Sequence, residues 1–465
     1  MISKQLAKDV LDVALSTGGD FAEIFIERTN SSYLSIENGK VDAAVATLTY
    51  GAGIRILNKF QSVYGYTNNV SKKGLVSLAE SLSKSYSGKR QLEVTDIKKV
   101  HVKCISPLEK PLSLVSRKEK IALLKGADSE MQKFDKRIVR TQTGISSSKK
   151  DIQIFNSEGK EFIDSKERGR IFMIAIASEN GQIETFYVGP GSSKGFEFFT
   201  KDIDVKEMAM KVASKAILML TAKECPSGKM PVILGNGVGG VLFHEACGHS
   251  LEGTSVSKKL SVFSDSLGKQ IASPIVTAID DGTIPGAWGS NNIDDEGHLT
   301  QRNVLIKDGV CTSFLLDDFT GRRLGMKGNG ACRRESYKYE PTSRMSNTFI
   351  AAGKSTKEEI IASTKLGLYA TSLGGGQVNP VTGEFNFACD EAYIVRDGKI
   401  CEPVRGAMLI GKGSEILQHI DMIGNDLECT QGMCGSSSGS VPTDVGQPTV
   451  RVSEVTIGGR GGELK

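Results

Sequence analysis

Proline is scarce in this sequence, with 12 residues against 52 glycines. That imbalance excludes a proline-rich linker and points instead to many tight turns between strands. Charge of one sign is not in excess. The 58 basic and 54 acidic residues leave a net +4, well mixed and without a long basic block, so nucleic acid is not an expected partner. Long hydrophobic runs are missing as well. Stretches such as Ile171-Phe172-Met173-Ile174-Ala175-Ile176-Ala177 fall far short of the ~20 apolar residues a membrane helix needs. Met1 to Lys8 has no apolar stretch of the signal-peptide kind. No membrane partner is expected, and a cytoplasmic location is. The nine cysteines are odd in number and irregularly spaced from Cys104 to Cys434. In a cytoplasmic chain they read as buried thiols, with one or two as ligands.

What remains is a globular composition, 39% hydrophobic and 24% charged, in a chain of 465 residues, too long for one ordinary core. Leu6, Val10, Val13 and Ala14 share a helical face that Gly18-Gly19 ends. Strand-like runs follow at Phe21 to Glu27, Ser32 to Glu37, Val41 to Tyr50, Gly53 to Leu57 and Ser62 to Tyr66, with Asn38-Gly39 as a hairpin turn. Helices are expected from Ser71, over Lys118 to Lys133 and over Val205 to Leu220. A meander is expected from Asp151 to Val188, turning at Ser157-Glu158-Gly159 and Glu179-Asn180-Gly181.

The texture changes around Pro226-Ser227-Gly228. Glycine clusters appear, and Asp280-Asp281-Gly282, Lys307-Asp308-Gly309 and Arg396-Asp397-Gly398 read as hairpin turns. One further helix is expected at Ser355 to Lys365, capped by Ser355 with Glu358. The fold class is therefore α+β, with helices packed on an antiparallel sheet in 1–221 and a β-rich unit in 222–465.

Histidine is rare too, only five in all, yet two of them stand in His244-Glu245-Ala246-Cys247-Gly248-His249. This resembles His-Glu-x-x-His, in which two histidines hold zinc and the glutamate activates water. The spacing is one residue longer. At about 100° per residue, four steps bring side chains within about 40°, whereas five leave them about 140° apart. An irregular backbone is therefore expected, either a π-bulge that realigns i and i+5 or a helix end at Gly248. A catalytic zinc needs a third ligand. Glu252, His298, Cys247, Cys429 and Cys434 are all candidates, and glycines flank Cys434 in Gly432-Met433-Cys434-Gly435. Gly235-Asn236-Gly237-Val238-Gly239-Gly240 fits a dinucleotide fingerprint. The polar, serine-rich Glu252 to Lys259 does not supply the second strand that fingerprint requires. Close packing of the helix against its strand is the better reading of these glycines.

Taken together, Gly239 to Gly253 resembles the core motif of the TldD/PmbA family of peptidases, in its metal-bearing TldD type. Other stretches agree in order: Asp294-Asp295-Glu296-Gly297, Arg333-Arg334-Glu335-Ser336-Tyr337, Arg344-Met345-Ser346-Asn347-Thr348, Gly374-Gly375-Gly376-Gln377-Val378 and Val445-Gly446-Gln447-Pro448. A Gly51-Ala52-Gly53-Ile54-Arg55 hairpin agrees near the N-terminus. The resemblance covers nearly the whole chain. It implies zinc held by His244, His249 and Cys434, with Glu245 as the general base. It also implies large curved sheets with a metal-bearing helix, unfolded peptide as substrate, and a TldE/PmbA-like subunit in a heterodimer, or a homodimer. A non-catalytic binding or regulatory subunit with a structural metal is the alternative. Arg333 and Arg344 are candidates for binding substrate. Cys247 departs from the more usual aliphatic residue and is either a buried thiol or an oxidation-sensitive neighbour of the metal.

Overall fold

The computed structural model describes residues 1–379 and 382–462. The first helix, Lys4–Ala14, begins at Ser3, whose hydroxyl accepts the Leu6 N–H and so satisfies a donor the helix leaves free. It buries Ala7, Val10, Leu11 and Ala14. With Lys72–Ser83 it covers one end of an eight-stranded sheet. Helices Arg117–Phe134 and Val205–Leu220 cover the other. The sheet runs Gln61–Thr67, Lys40–Asn58, Phe21–Glu37, Ile138–Asn156, Lys160–Glu179. The expected short runs merge: Phe21–Glu37 is one strand, because antiparallel neighbours on both sides keep its polar middle extended. The same holds for Lys40–Asn58, so Gly51 to Arg55 is the inside of a strand and not a hairpin. Its glycines have another reason. A Cβ on Gly51 would collide with the Tyr337 ring, and one on Gly53 with Tyr64.

From Lys223 on there follow two larger sheets and a two-stranded one, Cys332–Arg333 with Thr342–Ser343. In one of the larger sheets, Leu366–Val378, Gly228–Leu234, Val450–Gly458, Met408–Lys412 and Glu384–Arg396 pair in that order, and the first and last also pair with each other, closing a ring. The other is six-stranded and ends in the hairpin Glu428–Ser436 with Gly439–Gln447. Most pairings are antiparallel; Gly228–Leu234 with Leu366–Val378 and Asn347–Ile350 with Gly439–Gln447 are parallel. The structure is thus α+β with large, mainly antiparallel sheets.

The turns Asn38-Gly39, Asp308-Gly309 and Asp397-Gly398 all have positive φ at both residues, as two-residue hairpins require. Asp280-Asp281-Gly282 is no such turn. Ala278–Asp281 is a buried strand between Arg302–Lys307 and Asn347–Ile350. The short helix Lys357–Ala362 is capped by Thr356 with Glu359, one residue beyond the expected pair.

A buried ion network joins what lies before and after residue 222. Arg55, only 1% exposed, sits between Glu23 and Glu296. Arg334 donates to Glu23 at 2.8 Å and stacks on Phe25. Tyr64 donates to the Tyr337 carbonyl at 2.6 Å. Charges this deep hold position because each has a partner; removing one would strand the other.

Candidate metal centre

The strand Gly228–Leu234 leads into a helical run from Gly237 to Leu251. Its glycines permit close packing, though mainly against a different strand from the one that precedes them. A Cβ on Gly240 would strike the Gly446 backbone, and one on Gly239 the Gln447 side chain. After one α-turn, Val241–Phe243, the backbone widens to a π-turn over His244–Gly248, closed by the His249 N–H donating to the His244 carbonyl. This is the i to i+5 realignment that the histidine spacing demands. Gly248 keeps ordinary helical angles. Its lack of a side chain serves Met345, whose thioether fills the place a Cβ would take.

The π-turn stacks the two imidazoles edge to face, with centroids 5.1 Å apart. Cys434, from the edge strand Glu428–Ser436, completes the group. Its Sγ lies 3.2 Å from His244 Nε2 and 3.3 Å from His249 Nε2. The three ligand atoms all lie within 4.8 Å of one another. Tetrahedral zinc, with bonds of about 2.0 to 2.3 Å, would hold such donors about 3.5 Å apart. The donor set, two imidazoles and a thiol, therefore fits a borderline-soft divalent ion. Burial works to raise the Cys434 thiol, but His244 and His249 outweigh it and hold it down at about 3, as a thiolate.

Glu252, three residues beyond His249, is not in this group. Its Oε2 lies 3.1 Å from His249 Nδ1 and its Oε1 3.7 Å from Arg344 Nε. With a metal ion replacing the proton shared with Cys434, an Nδ1–H donated to Glu252 would leave the Nε2 lone pair for the ion, as in carboxylate–histidine–metal triads. Burial lowers the His249 imidazole, but Glu252 and Cys434 raise it further than burial lowers it. Arg344 is fully buried. It donates to the carbonyls of Cys434 and Gly439 and to the Ser438 hydroxyl, so it braces the hairpin that carries the thiol. Arg333, 4% exposed, donates to the carbonyls of Met345 and Pro442. Neither arginine lines the cavity at the metal group.

His298 lies elsewhere, with Nε2 2.9 Å from Asp318 in a second cluster with Glu296. Cys429 and Cys247 are also outside the group. Cys247 is buried, and burial alone pushes its thiol far up, which keeps it protonated and unreactive. Sequence reasoning missed Asp280. It is fully buried, raised to about 6 by that burial, and bonded to the Ser346 N–H and the Thr348 hydroxyl. It lies near enough to His244 to feel its charge. No local signal marks it, because its partners are more than sixty residues away.

Glu245 differs from these carboxylates in being open. A third of its side chain is exposed, with Oε2 3.8 Å from His249 Nε2. With His244 and Cys434 it lines a cavity of about 580 Å³. Arg170, Phe186–Pro190, Leu373 and Gln431–Met433 also line this cavity.

A strand-fed helix that carries His-Glu beside a cysteine thiolate, at the wall of a cleft, defines a metallohydrolase. The chain belongs to the PmbA/TldA metallopeptidase family. Models for that family's domain 1, central domain and C-terminal domain match residues 22–85, 110–220 and 227–459. A Haemophilus influenzae protein described as a metalloprotease TldD homolog is 34% identical, covering 98% of this chain and 97% of its own. A Methanocaldococcus jannaschii metalloprotease is 32% identical over 93% and 96%. Among solved structures, TldE from Thermococcus kodakarensis has the same fold at 18% identity, with a TM-score of 0.78 over 98% and 99% of the two chains. A Thermotoga maritima structure matches with a TM-score of 0.81 at 21% identity, over 98% and 100%. The protein is accordingly a metallopeptidase. Among the described residues no helix is long and apolar enough to cross a membrane.

Proposed function

We propose that the protein is a zinc peptidase acting on unfolded polypeptides, with His244, His249 and Cys434 as ligands and Glu245 as general base. The observation that carries this reading is the contrast between Glu245 and Glu252. Glu252 is 3% exposed and engaged by His249 and Arg344. Glu245 faces the cavity beside the ligand atoms. Zinc, when bound, would supply Lewis-acid polarisation of the scissile carbonyl and a lowered pKa for water. Glu245 would accept the proton of the attacking water and pass it to the leaving amine. Glu252 would fix the His249 tautomer. Arg344 would act as a positioning residue for the Cys434 hairpin and Glu252, since its Nη1 and Nη2 donors are engaged within the protein.

The edge strand Glu428–Ser436 borders the same cavity, which supports binding of substrate in extended form through main-chain pairing. Likeness in fold to a TldE supports a paired assembly, with a TldE/PmbA-like subunit or a second copy of this chain. All nine cysteines are free thiols, in keeping with a cytoplasmic location. Residues 1–221 and 222–465 are taken as its two working units, with the cleft between them.

The test is Glu245→Ala, assayed with its partner subunit if one is required. The variant should retain zinc yet lose hydrolysis of an unfolded peptide. Turnover equal to that of the unsubstituted protein refutes the base assignment. Cys434→Ser should weaken zinc binding, and unchanged stoichiometry and affinity by metal titration refute the ligand assignment.

A further inference from the structure

Met433, the residue before the thiolate, lines more than the metal cavity. It also borders a second cavity of about 430 Å³, between the two halves of the chain. Lys150, Lys166, Arg168 and Arg333 face this second space. The two guanidiniums lack a direct ion pair among the described residues. Arg168 is 7% exposed and donates to the carbonyls of Trp288 and Ser290 and to Asn291 Oδ1, leaving Nη1 without a protein acceptor among the described residues. Arg333 donates to carbonyls and, at 3.5 Å, to the Thr443 hydroxyl. The Lys166 ammonium, 9% exposed, is 3.6 Å from Asp164, and Lys150 is 4.0 Å from Glu27.

The cavity also has acids, Glu27, Asp294, Asp295 and Glu335, but Arg334 and Lys338 join the four cations above, so basic side chains outnumber acidic ones six to four. Arg168 and Arg333 are both lowered to about 10 by burial, and Arg168 pushes Arg333 further. Burial works to raise Asp295, but Lys150, Lys166 and Arg334 overcome it and hold the carboxyl below its ordinary range. Glu27 and Glu335 are occupied by the N–H groups of Tyr337 and Ser440. Buried guanidiniums without a direct ion pair are costly, and an anion entering this space would offset that cost.

We propose that this cavity is an anion subsite of the peptide cleft that takes a carboxylate of the bound polypeptide. The inference rests on the peptidase reading, because the shared wall at Met433 makes the occupant of one cavity the neighbour of the other. The space is the size of a small-ligand site, suited to an acidic side chain or a chain end, and a fork of guanidinium and ammonium donors matches carboxylate.

Binding of three peptides to the full-length Glu245→Gln protein, loaded with zinc, tests it without turnover. One peptide has a free C-terminus and an internal glutamate, the second has a C-terminal amide, and the third has glutamine for glutamate. The first should bind about tenfold or more tightly than one of the other two, as expected for loss of a charge-assisted hydrogen bond. Loss with the amide assigns the chain end, and loss with glutamine assigns the side chain. The difference should shrink in Lys166→Met and in Lys150→Met. Equal affinity for all three peptides overturns the proposal, as does a preference that survives both lysine variants. Turnover of the neutral peptides by the unsubstituted protein, measured separately, tells whether the peptidase reading still stands.

Discussion

Gly248→Ala probes the link between backbone irregularity and metal binding. The new methyl carbon would lie 3.1 Å from Met345 Cε and nearer still to its Sδ, well inside van der Waals contact. Met345 is completely buried, so the thioether, although flexible, has no open space to move into. Overpacking of this kind costs about 1 to 3 kcal/mol. Alanine returns about 1 kcal/mol of helix propensity over glycine. Because the contact with Sδ is far inside van der Waals distance, the upper part of the overpacking range applies, and a net loss of about 1 to 2 kcal/mol is expected. Because the displaced turn carries both histidines, that loss should be felt at the metal. Each 1.4 kcal/mol is a factor of about ten, so zinc affinity should fall by up to about thirty-fold. A competition titration with a chromogenic chelator measures this, and thermal unfolding with and without zinc measures the stability term. Adding Met345→Ala removes the clash and should recover zinc affinity at some cost in core packing. A Gly248→Ala protein that binds zinc as tightly as its parent refutes the reasoning, as does a double variant without recovery.

Glu252→Gln should lower zinc affinity about 10- to 100-fold, the usual loss for a partner behind a ligand histidine; an unchanged titration removes it from that role. A third prediction concerns pH. The Asp318 hydrogen bond, outweighing burial, raises His298 from an ordinary 6.5 to about 9. The folded state therefore binds more protons than the unfolded state between those values. Stability from this contact is present in full below about pH 6.5 and is lost as pH rises through about 9. Denaturation midpoints taken across pH 6.5 to 9 should fall, and His298→Gln should flatten the slope; equal slopes in both proteins refute it.

The parts legible in the sequence are those fixed by neighbours along the chain. Asn38-Gly39, Asp308-Gly309 and Asp397-Gly398 could be placed because a two-residue hairpin demands positive φ, and these residues tolerate it. The five-residue histidine spacing carried its own structural consequence, the π-turn. Errors arose where distant partners decide. Ser355 with Glu358 and Thr356 with Glu359 are equivalent capping pairs on paper; Ser355 instead bridges to Gly424. Asp280-Asp281-Gly282 has the composition of a turn. Asp280 can nonetheless sit in a buried strand, because Ser346 and Thr348 supply its hydrogen bonds from another strand. The glycines at 51 and 53 were visible; the tyrosines that need them were not.

The proposed ligand set also explains why the motif alone could not define the site. His244 and His249 come from one helical turn, while Cys434 comes from an edge strand some 185 residues later. Nothing on the helix fixes how far the thiol stands from the imidazoles. Arg344 and the pairing of the Cys434 strand with Gly439–Gln447 hold the thiol in place; Arg344 ties the Cys434 carbonyl to Ser438 and Gly439 and approaches Glu252 behind His249. One buried guanidinium thus spans both halves of the ligand set. Metal binding free energy in a site assembled from separate elements is also folding free energy for those elements. Chelation should therefore loosen the Glu428–Gln447 hairpin before it disturbs the helix, because the hairpin lies at a sheet edge. The histidine turn is instead packed between buried Leu242, Phe243 and Met345.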